Sequence, residues 1–250
     1  MNATPDFRPV AEAAAQGRIA DAQRLLAGLA ATQAGHSPAD QRRLRDWQLR
    51  LAPWWWQPLA GGRLLLRRTA ADDADFYRAA YQSPDFARRY NRQTSWTGDL
   101  AKALHRAGVL APLELGALHW VVCRDDGTRL GLASLTSISL GNGKAEFSIG
   151  FPAAPHPLHG VLATLLAYDF AFFRLRLNKL YTYVYTDNEE ALHNSLRVGL
   201  RQEGLLKDHF WLPPGEFVDV HALGLTRAQL LQDTRLQALA QRRLGLRWAG

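Results

Sequence analysis

The stretch Ala145-Glu146-Phe147-Ser148-Ile149-Gly150-Phe151 alternates small or polar with apolar side chains. That period of two predicts a strand with Phe147, Ile149 and Phe151 on one face and Glu146, Ser148 and Gly150 on the other. A loop rich in proline and histidine follows, from Pro152 to Gly160, and then a strongly apolar helix predicted over 161–173. Before the stretch, His119 to Cys123 and Leu130 to Ser139 read as strands, joined by the turn signals Asp125-Asp126-Gly127 and Gly141-Asn142-Gly143. Three strands linked by such turns form an antiparallel meander. After the apolar helix, Leu180 to Thr186 alternates again, with Tyr181, Tyr183 and Tyr185 on one face. Asp187 to Val198 reads as a helix, capped by Asp187, with Glu190 completing a capping box and Gly199 at its end. Phe217 to Leu223 is the last predicted strand, and Thr226 opens a terminal helix whose Arg242 and Arg243 suit its C-terminal dipole. Upstream, Arg63 to Arg68 reads as a strand, Asp72, Asp73 and Asp75 begin a helix broken at Pro84, and a further helix covers Leu100 to Ala107. The expected fold class is α/β: a mixed, partly antiparallel sheet flanked by helices, closed by a strand-loop-helix-strand crossover.

The N-terminal part has a different texture. Ile19, Ala22, Leu25, Leu26 and Leu29 recur at helical spacing, and Gly35 is the expected stop. Ser37-Pro38 with Asp40 starts a second helix, on which Leu44, Trp47 and Leu51 share a face before Pro53. This N-terminal helical pair is similar to one tetratricopeptide-like unit, and a single unit cannot bury its own face. Trp54, Trp55 and Trp56 follow; they read as a seam onto the main domain, or as a ligand platform. Pro58, Gly61 and Gly62 read as a hinge or loop. The expected organisation is a helical extension over 1–58, a main domain over 62–228 and a C-terminal helix over 229–250.

The chain has 250 residues, 47% of them apolar, and a formal charge of +7. A sizeable core can form, and a basic surface favours anionic partners. The arginines are spread along the chain, which favours solvated surface over a nucleic-acid site. No apolar run is long enough to span a membrane and the start lacks a secretory pattern, so the expected location is cytoplasmic. Cys123 is the single cysteine, which excludes an internal disulfide and a thiolate metal cluster. His105 and His119 lack metal-ligand spacing, and no metal is expected.

Several separated blocks, in order, resemble the GNAT acetyltransferases. Ala145 to Phe151 resembles that family's fourth strand. Asn188-Glu189-Glu190-Ala191 through Gly199-Leu200 resembles its late cofactor-side helix. Glu203-Gly204-Leu205-Leu206-Lys207-Asp208 through Val218-Asp219-Val220 to Gly224-Leu225 is similar to the branch that acetylates protein N-termini, ribosomal proteins and amino sugars. The resemblance covers about Gly62 to Leu225. It implies a sheet splayed between the fourth and fifth strands, with acetyl-CoA or another acyl-CoA in the splay as co-substrate. The family's loop after the fourth strand reads Gln or Arg, two residues, Gly, one residue, Gly or Ala, and its backbone amides cradle the pyrophosphate. Here Pro155-His156-Pro157-Leu158-His159-Gly160-Val161-Leu162 retains only Gly160. Proline has no N–H to donate, and leucine puts a side chain where backbone should approach. A helix N-terminus at Gly160 is expected to remain.

The resemblance makes Glu146 the candidate general base; an ordinary surface glutamate paired with Lys144 is the alternative. It points to Ile149, Phe151, His159, Gly160, Val161 and Asn188 as cofactor-binding, although Asn188 also suits a helix start. Leu196 stands where many relatives carry a tyrosine, so no general acid is assigned. Tyr183 and Tyr185 either line the acceptor cleft or simply pack. The expected activity is transfer of an acetyl or other acyl group to a primary amine of a small molecule, amino sugar or protein. Two alternatives keep the fold: an inactive binding protein, and a transferase whose donor is an acidic acyl carrier protein. A homodimer is compatible with either.

Overall fold

The computed structural model describes residues 5–31, 37–90, 92, 98–154, 156–212 and 215–248. Three helices lead: α1 (Arg8–Ala15), α2 (Ile19–Ala31) and α3 (Pro38–Arg50). The expected pair is α2 and α3, and α1 in front of them is an addition. Its buried side is Val10, Ala13 and Ala14, too alanine-rich for periodicity to stand out. Ser37 caps α3 by accepting from the Asp40 amide at 3.2 Å, with Pro38 in the first turn. The expected stop at Gly35 lies outside the described residues. Phe7, Val10, Ala22, Leu26, Leu44 and Leu51 form a small core of their own.

The tryptophans join this bundle to the rest. Trp55 is buried, its ring edge-on to Phe170 at 5.6 Å. Trp56 touches both cores, donates from Nε1 to the Val109 carbonyl at 3.2 Å, and lies 5.3 Å from the Arg68 guanidinium. Pro58 to Gly62 is not a free hinge. Leu59–Gly61 is a strand, β1, paired antiparallel with β2 (Leu64–Arg68) through Leu59 and Leu66.

On the next segment lie α4 (Ala74–Gln82), α5 (Pro84–Tyr90), α6 (Leu100–Val109) and the single turn α7 (Pro112–Leu115). The meander follows as β3 (Leu118–Arg124), β4 (Arg129–Ser139) and β5 (Lys144–Gly150). Then come α8 (Pro157–Asp169), which runs on as a wide π turn over Phe170–Arg174, β6 (Lys179–Tyr185) and α9 (Glu189–Arg197). The chain closes with β7 (Arg201–Leu212), β8 (Glu216–Thr226), α10 (Arg227–Gln232) and α11 (Thr234–Leu244). Strand β7 was not anticipated: most of its residues are exposed and no clean alternation marks it. Thr226 opens the terminal helix as expected, capping α10 at Arg227 ahead of the 229 boundary; the helix is interrupted at Asp233, which caps α11.

The eight strands form one sheet in the order β1-β2-β3-β4-β5-β6-β8-β7. All neighbours are antiparallel except β5 and β6, which are parallel. Two helical layers cover it. Leu64, Leu66, Trp120, Val122, Leu135 and Phe147 face α8 and the C-terminal helices. Val121, Cys123 and Leu132, from the opposite face, meet α4, α5 and α6 through Tyr77, Ala80, Phe86 and Leu104. Asp73 fastens the second layer. It is fully buried and accepts from Arg67 of β2 at 2.8 and 2.6 Å, from Arg129 of β4 at 2.7 Å, and from the Ala70 amide at 2.9 Å.

Candidate active site

Strands β5 and β6 pair at three rungs only: Lys144 with Lys179, Ala145 with Leu180, and Glu146 with Tyr181. Beyond Glu146 the other edge of β5 stays paired with β4, through Phe147–Leu135 to Gly150–Leu132. Among the described residues, the β6-facing edge of residues 147–150 therefore has no strand partner. A gap opens in the sheet there, lined by backbone N–H and C=O groups that need other partners.

Glu146 stands at the mouth of that gap, half-buried, on the face opposite Phe147. Among the described residues it makes no hydrogen bond or ion pair. Lys144 does not pair with it; the Lys144 ammonium lies 5.7 Å from the centre of the Tyr181 ring. Burial pushes the Glu146 carboxyl above its ordinary value of 4.5, with no cation close enough to offset it. A carboxylate desolvated in this way is better matched to accepting a proton near neutral pH.

The rest of that face is aromatic. Tyr181 and Tyr183 meet edge-on at 5.7 Å, Tyr183 meets Phe210 at 5.8 Å, and Tyr185 lies 6.1 Å from Phe210. A β-bulge interrupts β4 directly after Thr136, the partner of Glu146. Within it Ser137 adopts a left-handed backbone, φ 50°, and its side chain hydrogen-bonds Tyr181. Bulges of this kind re-aim side chains beside functional sites.

Helix α5 closes the same face. Gly150 lets the Tyr90 ring lie on β5, and a side chain there would also meet Phe86 at 3.1 Å. Past α5, the Arg92 amide donates to the Tyr185 hydroxyl at 3.3 Å, and the Arg92 guanidinium sits 4.2 Å over the Tyr185 ring. Arg88 and Arg92 both pair with Asp187, and Arg89 pairs with Glu190. This strap across the gap was not foreseen. Arg88 and Arg89 read as surface charge in the sequence, and nothing local ties them to acids about a hundred positions away.

Asn188 is buried and caps α9: its Oδ1 accepts from the Ala191 amide and its Nδ2 donates to the Arg89 carbonyl, both at 3.1 Å. The expected cap, Asp187, is taken up by the arginines instead. Ile149, Phe151, Gly160 and Val161 come together where β5 meets α8, the Phe151 ring reaching within 3.5 Å of a side chain built at Gly160. Helix α8 begins at Pro157, earlier than the expected 161, so Gly160 lies inside its first turn rather than at its start. His156 is the cap: its Nδ1 accepts from the Leu158 amide at 3.3 Å and its carbonyl accepts from the His159 amide at 2.8 Å. These amides already have partners within the chain. The His159 Nδ1 is buried without one, and burial lowers the ring's pKa, with His156 and Arg124 adding to the effect. Pro155 lies outside the described residues. Tyr183 and Tyr185 lie on the Glu146 side, while Leu196 is an exposed residue of α9.

Among the described residues no cluster of His, Cys, Asp or Glu is placed to hold a metal, and no helix is long and apolar enough to cross a membrane. The model of the GNAT acetyltransferase domain matches residues 63–201, more than half of the chain. A spermidine N(1)-acetyltransferase of Vibrio cholerae is 32% identical over 104 residues, 41% of this chain and 59% of that protein. The corresponding Escherichia coli K12 protein is 35% identical over 88 residues, 35% of this chain and 47% of its own length. The chain thus spans about half to three-fifths of these relatives. The crystal structure of the Vibrio cholerae spermidine N-acetyltransferase with CoA and spermine superposes with a TM-score of 0.56 at 22% identity, covering 68% of this chain and 98% of that one. At that identity the likeness is one of fold.

Proposed function

Since the chain belongs to the GNAT acetyltransferase family, we propose that it transfers an acetyl or related acyl group from acyl-CoA to a primary amine of a small molecule. The observation that carries this reading is the gap between β5 and β6, with the carboxylate of Glu146, unpartnered among the described residues, at its mouth. When bound, the donor supplies an already activated thioester. The free edge of β5 at residues 147–150 offers amide and carbonyl groups to a pantetheine arm, and Ile149, Phe151 and Val161 offer apolar wall. Glu146, directly or through one water, takes the proton from the acceptor ammonium. The amine nitrogen then bonds to the acyl carbon as the carbon–sulfur bond breaks; the second proton leaves the nitrogen for the departing thiolate, directly or through water, giving amide and free thiol, and Glu146 returns its own proton to solvent. Holding both reactants at one gap supplies much of the acceleration.

The spermidine acetyltransferases among its relatives make an aliphatic amine the natural first acceptor to try. The division into residues 1–58, a main domain and a C-terminal helix is offered as the organisation around this site. A second reading is favoured by one observation: the Leu158 and His159 amides at the start of α8 are internally bonded rather than free for a pyrophosphate. The donor would then be held through its pantetheine arm, as an acyl carrier protein presents it. The test is calorimetric titration with CoA and with pantetheine, alongside thiol release from acetyl-CoA over an amine panel. Saturable CoA binding and amine-dependent thiol release support the first reading. Equal affinity for CoA and pantetheine moves the donor to a carrier. No binding of either, and no thiol release, refutes both.

A further inference from the structure

The acceptor side of the gap has a charge pattern that narrows the substrate class. The tyrosines of β6 and Phe210 make a continuous aromatic wall, and Glu146 is the carboxylate that faces it without a cationic partner among the described residues. The other carboxylate acting on Tyr185 is Asp187, held by Arg88 and Arg92. Both ends of the wall already carry a cation. Arg92 lies 4.2 Å over Tyr185, and Lys144 lies 5.7 Å from Tyr181. From Tyr181 to Tyr185 the strand advances roughly 13 Å. Positions 91 and 93–97 read Asn and Gln-Thr-Ser-Trp-Thr, so no carboxylate comes from that stretch. A second ammonium placed at either end of the wall would meet Arg92 or Lys144.

We infer that the acceptor is a primary amine carrying one positive charge on an apolar body, its ammonium at Glu146 and its body on the Tyr181, Tyr183 and Phe210 rings, and that it is not a polyamine. This rests on the acyl-transfer reading for its chemistry, but the binding site can be tested without turnover. A single ammonium at Glu146 keeps the ion pair and an aromatic face together. A polyamine brings its further charges up to Lys144 or Arg92, where like charges repel.

Full-length protein is titrated calorimetrically with 2-phenylethylamine and with spermidine, with and without CoA. 2-Phenylethylamine should bind at least about tenfold more tightly, a difference of about 1.4 kcal/mol. Glu146→Gln should remove that advantage, Tyr183→Leu should weaken 2-phenylethylamine at least about threefold, and Tyr183→Phe, which keeps the ring, should not. Spermidine binding as tightly or more tightly overturns the inference, as does failure of both amines to bind or indifference to Tyr183→Leu. Thiol release is followed in parallel. Release that prefers spermidine sinks this inference and leaves acyl transfer standing. The expected binding pattern without any thiol release supports this acceptor site and sinks acyl transfer.

Discussion

Replacing Asp73 tests how the helical layer over the candidate acceptor face is attached. Its side chain is wholly buried, yet its two partners are not: Arg67 is 27% and Arg129 34% exposed. Burial alone would raise the Asp73 carboxyl pKa; the hydrogen bonds from Arg67, the Ala70 amide and Arg129 outweigh it and hold the group below its ordinary value of 3.8. Asp73→Ala removes the acceptor for four hydrogen bonds, two from Arg67 of β2, one from Arg129 of β4 and one from the Ala70 amide that closes the turn before α4. Breaking a buried ion pair by deleting one member costs about 3–5 kcal/mol. Here the arginines can rehydrate, so the lower end, about 3 kcal/mol, is the expected loss. At roughly 2–4 °C per kcal/mol for a chain of this size, the melting temperature falls by about 6–12 °C. The sign of the pH dependence follows from the depressed carboxyl. In the wild type this stabilisation is complete above the ordinary value and is lost as pH falls through the lower folded value, whereas Asp73→Asn has nothing to titrate there. Thermal unfolding followed by circular dichroism at pH 7, and again between pH 5 and 3, measures both effects. A fall of less than about 2 °C for Asp73→Ala at pH 7 would refute the reasoning, because the carboxylate would then not be what ties α4 and α5 to the sheet.

The remaining predictions concern the gap. Gly150→Ala should lift α5 from β5, because the added methyl overlaps Tyr90 and meets Phe86 at 3.1 Å; unfolding in urea should show a loss of about 1–3 kcal/mol. For Glu146, whose burial places its pKa above 4.5, kcat/KM should rise with pH through that raised value, since the deprotonated form is the base. Glu146→Gln should lower kcat/KM by about 10²- to 10⁴-fold and flatten that acidic limb, as read from thiol release across pH.

The faces of the sheet were readable where alternation was clean. Phe147 and Glu146 fall on opposite faces as the sequence implies, and the three tyrosines of β6 lie beside Glu146. Readability failed where a residue's local meaning was ambiguous. Gly61 and Gly62 read as a hinge or loop; Gly62 does lie in a turn, but the turn closes a β1–β2 hairpin in which Leu59 pairs with Leu66. Arg201 to Leu212 reads as mixed polar sequence because β7 is the edge strand, with little to bury. Pro157 looks like loop, but its missing N–H is harmless in a first helical turn, so α8 starts four residues early.

The candidate site follows the same division. Glu146 can be picked out by its place on a strand, but its lack of partners among the described residues is a tertiary fact: Lys144, two residues away on the same face, turns to Tyr181 instead. Nor does any local pattern announce the gap. It arises because β5 and β6 run parallel and keep only three rungs, while β6 goes on pairing with β8 as far as Tyr185 and Val220. With β5 held to β4 and β6 held to β8, each strand keeps a ladder on its outer side, broken on β4 only by the bulge after Thr136. The inner edges can then part without losing those outer hydrogen bonds. An opening of this kind belongs to the sheet's own register, so it persists whatever becomes of the first turn of α8. That separates two properties usually found together. Loss of free amides at α8 bears on how tightly the pyrophosphate end is held, while the slot for a pantetheine arm and the base at its mouth depend on strands that the loop does not touch.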